Sequence, residues 1–224
     1  MQTTTGKNPL LLTGAFSAVL IFLAVFITPD TGGPPVEDAQ KAVDAYINDS
    51  STFLAAGIIG LLGAVALIWF AGAIRSTIAR SERASSPLPS IAFAGAIGGA
   101  ISLVISRVIV VSQALRAEDA TLDPAVVASF DDLAVHMFGV AMPVCASALV
   151  AGVAVASLRG ADLVPRVVGW MSLLLAVAMI IPPIAWIANL VFLLWLVGVS
   201  VRLGTKAQPT VDAITTAPRT SVAA

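Results

Sequence analysis

Charge is what this sequence has least of. Only 11% of its 224 residues are Asp, Glu, Lys or Arg, against about a quarter in a soluble domain. With 58% hydrophobic residues and a mean hydropathy of +0.97, a water-soluble fold would have too few polar groups to cover its surface. The bilayer is therefore the expected solvent. Cys145 is the single cysteine, which excludes a disulfide or a Cys-based metal site within the chain. His136 is the single histidine, which excludes bis-histidine haem ligation. No Asp, Glu or Lys falls inside an apolar stretch. That leaves no lysine for a retinal-type Schiff base and no carboxylate for most proton relays or cation-coupled carriers. P-loop, GxSxG, HExxH and CxxC patterns are missing. A net charge of −1 offers no basic field for nucleic acid. The chain thus reads as a non-enzyme with no cofactor and no metal.

What is present is a series of charge-free runs. A helix needs ~20 apolar residues to cross a hydrocarbon core ~30 Å thick. The runs predict an all-α membrane bundle with spans at 9–29, 52–74, 90–112, 132–158, 164–181 and 184–202. These make one transmembrane domain over 1–203, followed by a disordered cytoplasmic tail, 204–224, that is polar and lacks periodicity. The first run starts like a signal peptide, but its apolar core is too long and no small-residue cleavage site precedes Asp30, so a retained anchor is expected. Residues 167–201 carry no charge, and as one helix they would be ~52 Å long at 1.5 Å per residue. Arg159 and Arg166 before this run and Arg202, Lys206 and Arg219 after it belong on one side of the membrane. An even number of crossings must separate them, and Pro182-Pro183 is the expected turn.

The resulting topology is one-sided. Lys7, Arg75, Arg80, Arg83, Arg159, Arg166, Arg202, Lys206 and Arg219, nine of the twelve basic residues, fall on the side that becomes cytoplasmic by the positive-inside rule. Both termini are then cytoplasmic, in the plasma membrane. Outside the spans, 35–47 reads as a short amphipathic helix with Ala39, Ala42, Val43, Tyr46 and Ile47 on one face. Asp123-Pro124 is a helix-start signal, and Ser129 with Asp132 has capping-box spacing.

Polar groups inside the spans are few. Arg107, His136 and Asn189 fall at similar depth in the outer leaflet, with Asp131 and Asp132 at the mouth of span four. At 100° per residue, Asp132, His136, Pro143 and Ser147 share one helix face. Arg107 is shallow enough to snorkel to the outer interface and to pair with Asp131 or Asp132. These five residues form the candidate polar outer-leaflet group. Ladders of small residues occur at Ala56, Gly60 and Ala64, at Gly95 and Gly99 continuing to Ser102 and Ser106, and at Ala148, Gly152 and Ala156. Such ladders let helices approach closely, either within the bundle or in a homo-oligomer or membrane-protein partnership.

Several ordered features carry a resemblance. Span one ends in Thr28-Pro29, and the outer helix ends in Asp44-Ala45-Tyr46-Ile47-Asn48. Leu-Ile-Trp-Phe-Ala-Gly-Ala-Ile-Arg at 67–75 closes span two. Leu163-Val164-Pro165-Arg166-Val167-Val168-Gly169-Trp170 opens span five. Over residues 9–203 the chain resembles a family of uncharacterised actinobacterial six-helix integral membrane proteins with no established activity. The resemblance implies an architecture and assigns no site residues. The expected role is that of a non-enzymatic scaffold, accessory subunit or regulator. The alternative is a small-molecule or lipid transporter or channel that uses the outer-leaflet group.

Overall fold

A computed structural model of the protein describes residues 9–32, 38–81, 85–119 and 123–206. Lys7, the start of the predicted outer helix at 35–37, Arg83 and the tail from 207 onward, with Arg219, lie outside the described residues. All regular structure among the described residues is helical. A tight turn, Pro9–Leu12, leads into α1 (Thr13–Ile27). Then follow α2 (Ala39–Asn48), α3 (Ser50–Ser81), α4 (Leu88–Asp119), α5 (Pro124–His136), α6 (Met142–Leu158), α7 (Arg166–Ala178) and α8 (Pro182–Thr205). A π-helical turn, Met137–Ala141, joins α5 to α6 in one continuous apolar helix of 35 residues.

Five helices are long and apolar enough to cross a membrane, where six were expected. The expected span 164–181 comes out as α7, with 13 residues, or ~20 Å at 1.5 Å per residue. Prolines shorten it from both ends. Pro165 precedes its first turn, and Pro182 forces Ile181 into extended backbone (φ −92, ψ 106). Pro182 and Pro183 are therefore not the turn itself. They occupy the first turn of α8, where their missing N–H groups cost nothing, and the reversal falls on Met179–Ile181.

The two ends of the charge-free run meet. Arg202 Nε donates to the Leu163 carbonyl at 3.0 Å, Lys206 Nζ donates to the Asp162 carbonyl at 2.6 Å, and Arg202 and Lys206 both pair with the Asp162 carboxylate. Midway along, Trp195 Nε1 donates to Ser172 Oγ at 2.8 Å. The α7–α8 pair is thus a hairpin, and a single kinked helix over 167–201 is ruled out.

Around the bundle the neighbours run α1, α3, α4, α6, α7 and α8, with α8 closing back on α1. Arg75, Arg80, Arg159, Arg166, Arg202 and Lys206 collect at one end, called here the basic end. The other end carries a small cap. With 32 residues each, α3 and α4 are ~48 Å long and outrun a ~30 Å hydrocarbon core. On their projecting ends α2 and the first turns of α5 bury Ala42, Val43, Tyr46 and Val127 against Phe53, Val110 and Ala114. The Tyr46 and Phe53 rings stack at 4.1 Å. Gln113 Nε2 holds α5 to α4 through the Val127 carbonyl at 3.0 Å.

Asp38 caps α2 by accepting from the Gln40 and Lys41 amides, and Asp123 caps α5 by accepting from Ala125 and Val126. The expected capping box at Ser129 and Asp132 does not form. Ser129 lies inside a helix that Asp123-Pro124 has already started, and its hydroxyl donates back to the Ala125 carbonyl. At the end of α6, Gly160 takes a φ of +107, and the amides of Gly160 and Ala161 close on the carbonyls of Ser157 and Ala156. That is the pattern of a Schellman stop.

The small-residue ladders are buried inside this one chain. A Cβ at Gly95 would stand 2.6 Å from the Leu149 amide nitrogen and 2.7 Å from the Cys145 carbonyl, and one at Gly152 would stand 2.8 Å from Ala92 Cβ. Ala56, Ala64 and Ala156 are fully buried. The close approach these residues permit is helix-on-helix packing within the bundle.

Candidate functional site

The cap end holds a cavity of about 300 Å³ that opens to the exterior. Three local features build it. The first is the π turn. Pro143 has no N–H to offer the preceding turn, and the chain inserts one extra residue, with the Met142 amide bonding Met137 O. One inserted residue turns the two halves of the helix relative to each other by ~100°. The turn lays Gly139 under Trp186, where a Cβ would stand 2.8 Å from the indole Nε1. It also places Phe138 edge-on to Trp186 at 5.6 Å.

The second feature is the segment after α1. Thr28 bonds back to the Ala24 carbonyl at 2.6 Å, and beyond Pro29 the backbone turns at Gly32 (φ +106). The Gly32 amide donates to Asp30, which also pairs with Lys41 at 3.0 Å. The amide first and Lys41 second hold the Asp30 carboxyl below the usual carboxylate range. This turn brings Thr31 over α5. The third feature is a groove on α3. Gly60 leaves room for the Arg107 stem, since a Cβ there would stand 2.7 Å from Arg107 Cδ and 2.8 Å from Cγ.

Three charged residues line the cavity: Asp30, exposed and paired with Lys41, and the buried Asp131 and Arg107, which sit in different surroundings. Asp131, 4% exposed, accepts from Thr31 Oγ1 at 2.6 Å and from the Tyr46 hydroxyl at 2.8 Å. Burial first, then the neighbouring Asp131 charge, pushes the Tyr46 phenol's pKa up, so it remains a donor. Arg107, 5% exposed, lies over the Phe138 ring at 5.2 Å and donates to Thr28 Oγ1 at a long 3.4 Å. Its Nε–H has no acceptor among the described residues. No ion pair within 4.0 Å joins it to Asp131. The expectation of a snorkelling Arg107 paired to an acid is therefore corrected. The guanidinium is buried on an aromatic face, and the carboxylate is held by hydroxyls.

The expected group divides. Arg107 and Asp131 share the cavity with Thr28, Ser106 and Trp186. Asp132 is half-buried and does not line it. His136 is exposed, and its Nδ1 lies 2.6 Å from the Asp132 carbonyl four residues back. Pro143 and Ser147 are buried, so the face they were expected to share with His136 is broken by the π turn. Asn189 is 2% exposed on α8, does not line the cavity, and leaves its Oδ1 without a partner among the described residues. Sequence reasoning missed Thr31 and Tyr46, which orient Asp131. Hydroxyls give no spacing signal, and these two lie 100 and 85 residues from their partner. Pro143, inside a predicted span, was the available sign of a register break.

No protein-family model, no curated protein and no solved structure matches the chain.

Proposed function

We propose that the chain is a six-span protein of the plasma membrane with both termini cytoplasmic, acting without catalysis as a scaffold, accessory subunit or regulator. The observation that carries the topology is the Asp162 cluster. It ties the segment before α7 to the end of α8, so α7 serves as the fifth crossing. A span shorter than the local core is accommodated by thinning of the bilayer and snorkelling of flanking residues, and Arg166 at its first position is exposed. The basic end then faces the cytoplasm. Reporter fusions after residues 45, 85, 120 and 162 should alternate outside, inside, outside, inside, and a C-terminal fusion should report inside. A C-terminal fusion that reports outside overturns the six-span reading.

The non-catalytic role is supported by the direction of His136, which leaves Asp131 without an imidazole beside it in the cavity. The broad apolar faces of α7 and α8, with Val167, Trp170, Leu174, Ile187 and Leu194 exposed, suit lipid or a membrane partner. Extraction into nanodiscs directly from the native membrane, followed by native mass spectrometry, should find a second copy or a stoichiometric partner. A lone monomer in every preparation overturns the scaffold reading. The cavity favours a second reading, a small-molecule or lipid transporter or channel.

A further inference from the structure

We propose that the cavity at the cap end binds a zwitterion, with an anionic oxygen group on Arg107 and an ammonium on Asp131. Arg107 and Asp131 line one cavity, both are more than nine-tenths buried, and they do not pair with each other; the third charged lining residue, Asp30, is exposed and already paired with Lys41. A guanidinium carries five N–H donors in a fixed fork. Here Thr28 takes one of them, weakly, and Nε has no acceptor among the described residues. Gly60 and Phe138 hold the stem and the plane of the group, so the fork is presented ready-oriented to a phosphate or carboxylate. Asp131 spends one lone pair of each oxygen on Thr31 and Tyr46. A carboxylate has about four such sites, which leaves capacity for an ammonium.

A plain anion on Arg107 would face the Asp131 carboxylate, and a plain cation on Asp131 would face the guanidinium. A molecule that carries both charges meets neither repulsion. The volume, about 300 Å³, is at the small end of ligand pockets and suits a head group. Val25 and Trp186, which lie near the cap-end termini of α1 and α8, give the lining an apolar part, as an acyl-glycerol neck would need. The same chemistry is offered by a phosphatidylethanolamine head group and by a free phosphoethanolamine or amino acid. The proposal rests on the cavity and not on the scaffold reading, so reporter fusions can fail while binding holds, and the reverse.

The test uses the full chain, and Trp186 emission is the readout. A Trp186→Phe variant subtracts the other three of its four tryptophans. One arm titrates soluble phosphoethanolamine, glycerol phosphate and inorganic phosphate onto delipidated protein in detergent. The other compares nanodiscs of phosphatidylethanolamine with nanodiscs of phosphatidylglycerol. Saturable binding is expected in at least one arm, and the responding arm identifies the source. The ammonium-bearing probe should bind at least about tenfold tighter than its ammonium-free counterpart, the worth of one charge-assisted hydrogen bond. Arg107→Gln should lose binding of both kinds, and Arg107→Lys should recover part of it. Asp131→Asn should erase the preference for the ammonium while phosphate binding holds or improves. The absence of a saturable response in both arms, or equal binding of phosphoethanolamine and glycerol phosphate by the wild type, overturns the proposal without reference to any variant. Unchanged binding by Arg107→Gln overturns it as well.

Discussion

Among the described residues, the charged cluster at the basic end and the buried charges at the cap end are built on opposite terms. At the basic end, Arg202 and Lys206 pair with Asp162, whose side chain is 75% exposed. At the cap end, Arg107 and Asp131 are both buried and stand in one cavity without pairing. The exposed cluster neutralises its charge by direct contact, and water does most of the remaining work. In the buried cluster the carboxylate is satisfied by two neutral hydroxyls, and the guanidinium has one long bond to Thr28 and an Nε–H with no acceptor among the described residues. Direct ion pairing is therefore not what singles out a site here. The informative feature is a buried charge whose hydrogen-bonding capacity the protein itself does not fill.

Substitutions can break this contrast, and the largest effect is expected at Asp131. Asp131→Ala strands the Thr31 and Tyr46 hydroxyls in the cap. Hydrogen bonds to a charged group are worth ~1.5–3 kcal/mol each, so a loss of roughly 3 kcal/mol or more is expected in chemical or thermal unfolding. Tyr46→Phe removes one of the two bonds and keeps the stack on Phe53, so about half that loss is expected. If Asp131→Ala unfolds like the parent, the carboxylate is not held as described.

The next expectation has the opposite sign. Arg107→Met removes a buried charge that makes no ion pair with Asp131 and keeps an apolar stem beside Gly60. Burying a charge without an ionic partner is costly, so its replacement by an apolar side chain relieves a desolvation penalty. The variant should unfold at or above the parent midpoint, within about 1 kcal/mol on the destabilising side. A loss of ~3–5 kcal/mol would mean that a buried partner had been stranded, and the two clusters would then be alike.

The smallest effect is expected at the basic end. The hydrogen bond from Lys206 first, and its charge second, hold the Asp162 carboxyl below its ordinary value of 3.8. A carboxylate with a depressed pKa contributes stability that is full above that ordinary value and fades as the pH falls through the lower folded value. Asp162→Asn should therefore leave unfolding at neutral pH almost unchanged, because exposed pairs are screened. It should flatten only the acid limb of a stability profile measured below pH 3.8. A large loss at neutral pH would show that the hairpin depends on this cluster.

Much of the architecture was legible beforehand because it follows from solvent and chain chemistry. Uninterrupted apolar runs cannot cover themselves in water, and prolines at 182 and 183 cannot continue a helix. Asp123-Pro124 and the 39–47 face announced a helix start and an amphipathic helix, and both are present, with Ala42, Val43 and Tyr46 buried and Ile47 of the expected face exposed. Legibility stopped where geometry departs from the ideal period. Across Met137–Ala141 the rule of 100° per residue fails, which separates His136 from Pro143 and Ser147; within α5 itself His136 stands five residues, ~140°, from Asp131 and does not line the cavity. Of the six expected spans, five are helices of membrane length, and the remaining one, α7, has only 13 residues because Pro165 and Pro182 bound it.

By itself the sequence determined that this is a bundle of membrane-length helices with a basic end, because hydropathy and charge are properties of consecutive residues. Only the tertiary structure decided that Arg107 and Asp131 share a cavity without pairing, that Thr31 and Tyr46 hold the carboxylate, and that Gly60 makes the groove. Those relations join residues dozens of positions apart. They depend on the rotation and depth at which packed helices meet, and neither quantity is written in any local run of residues.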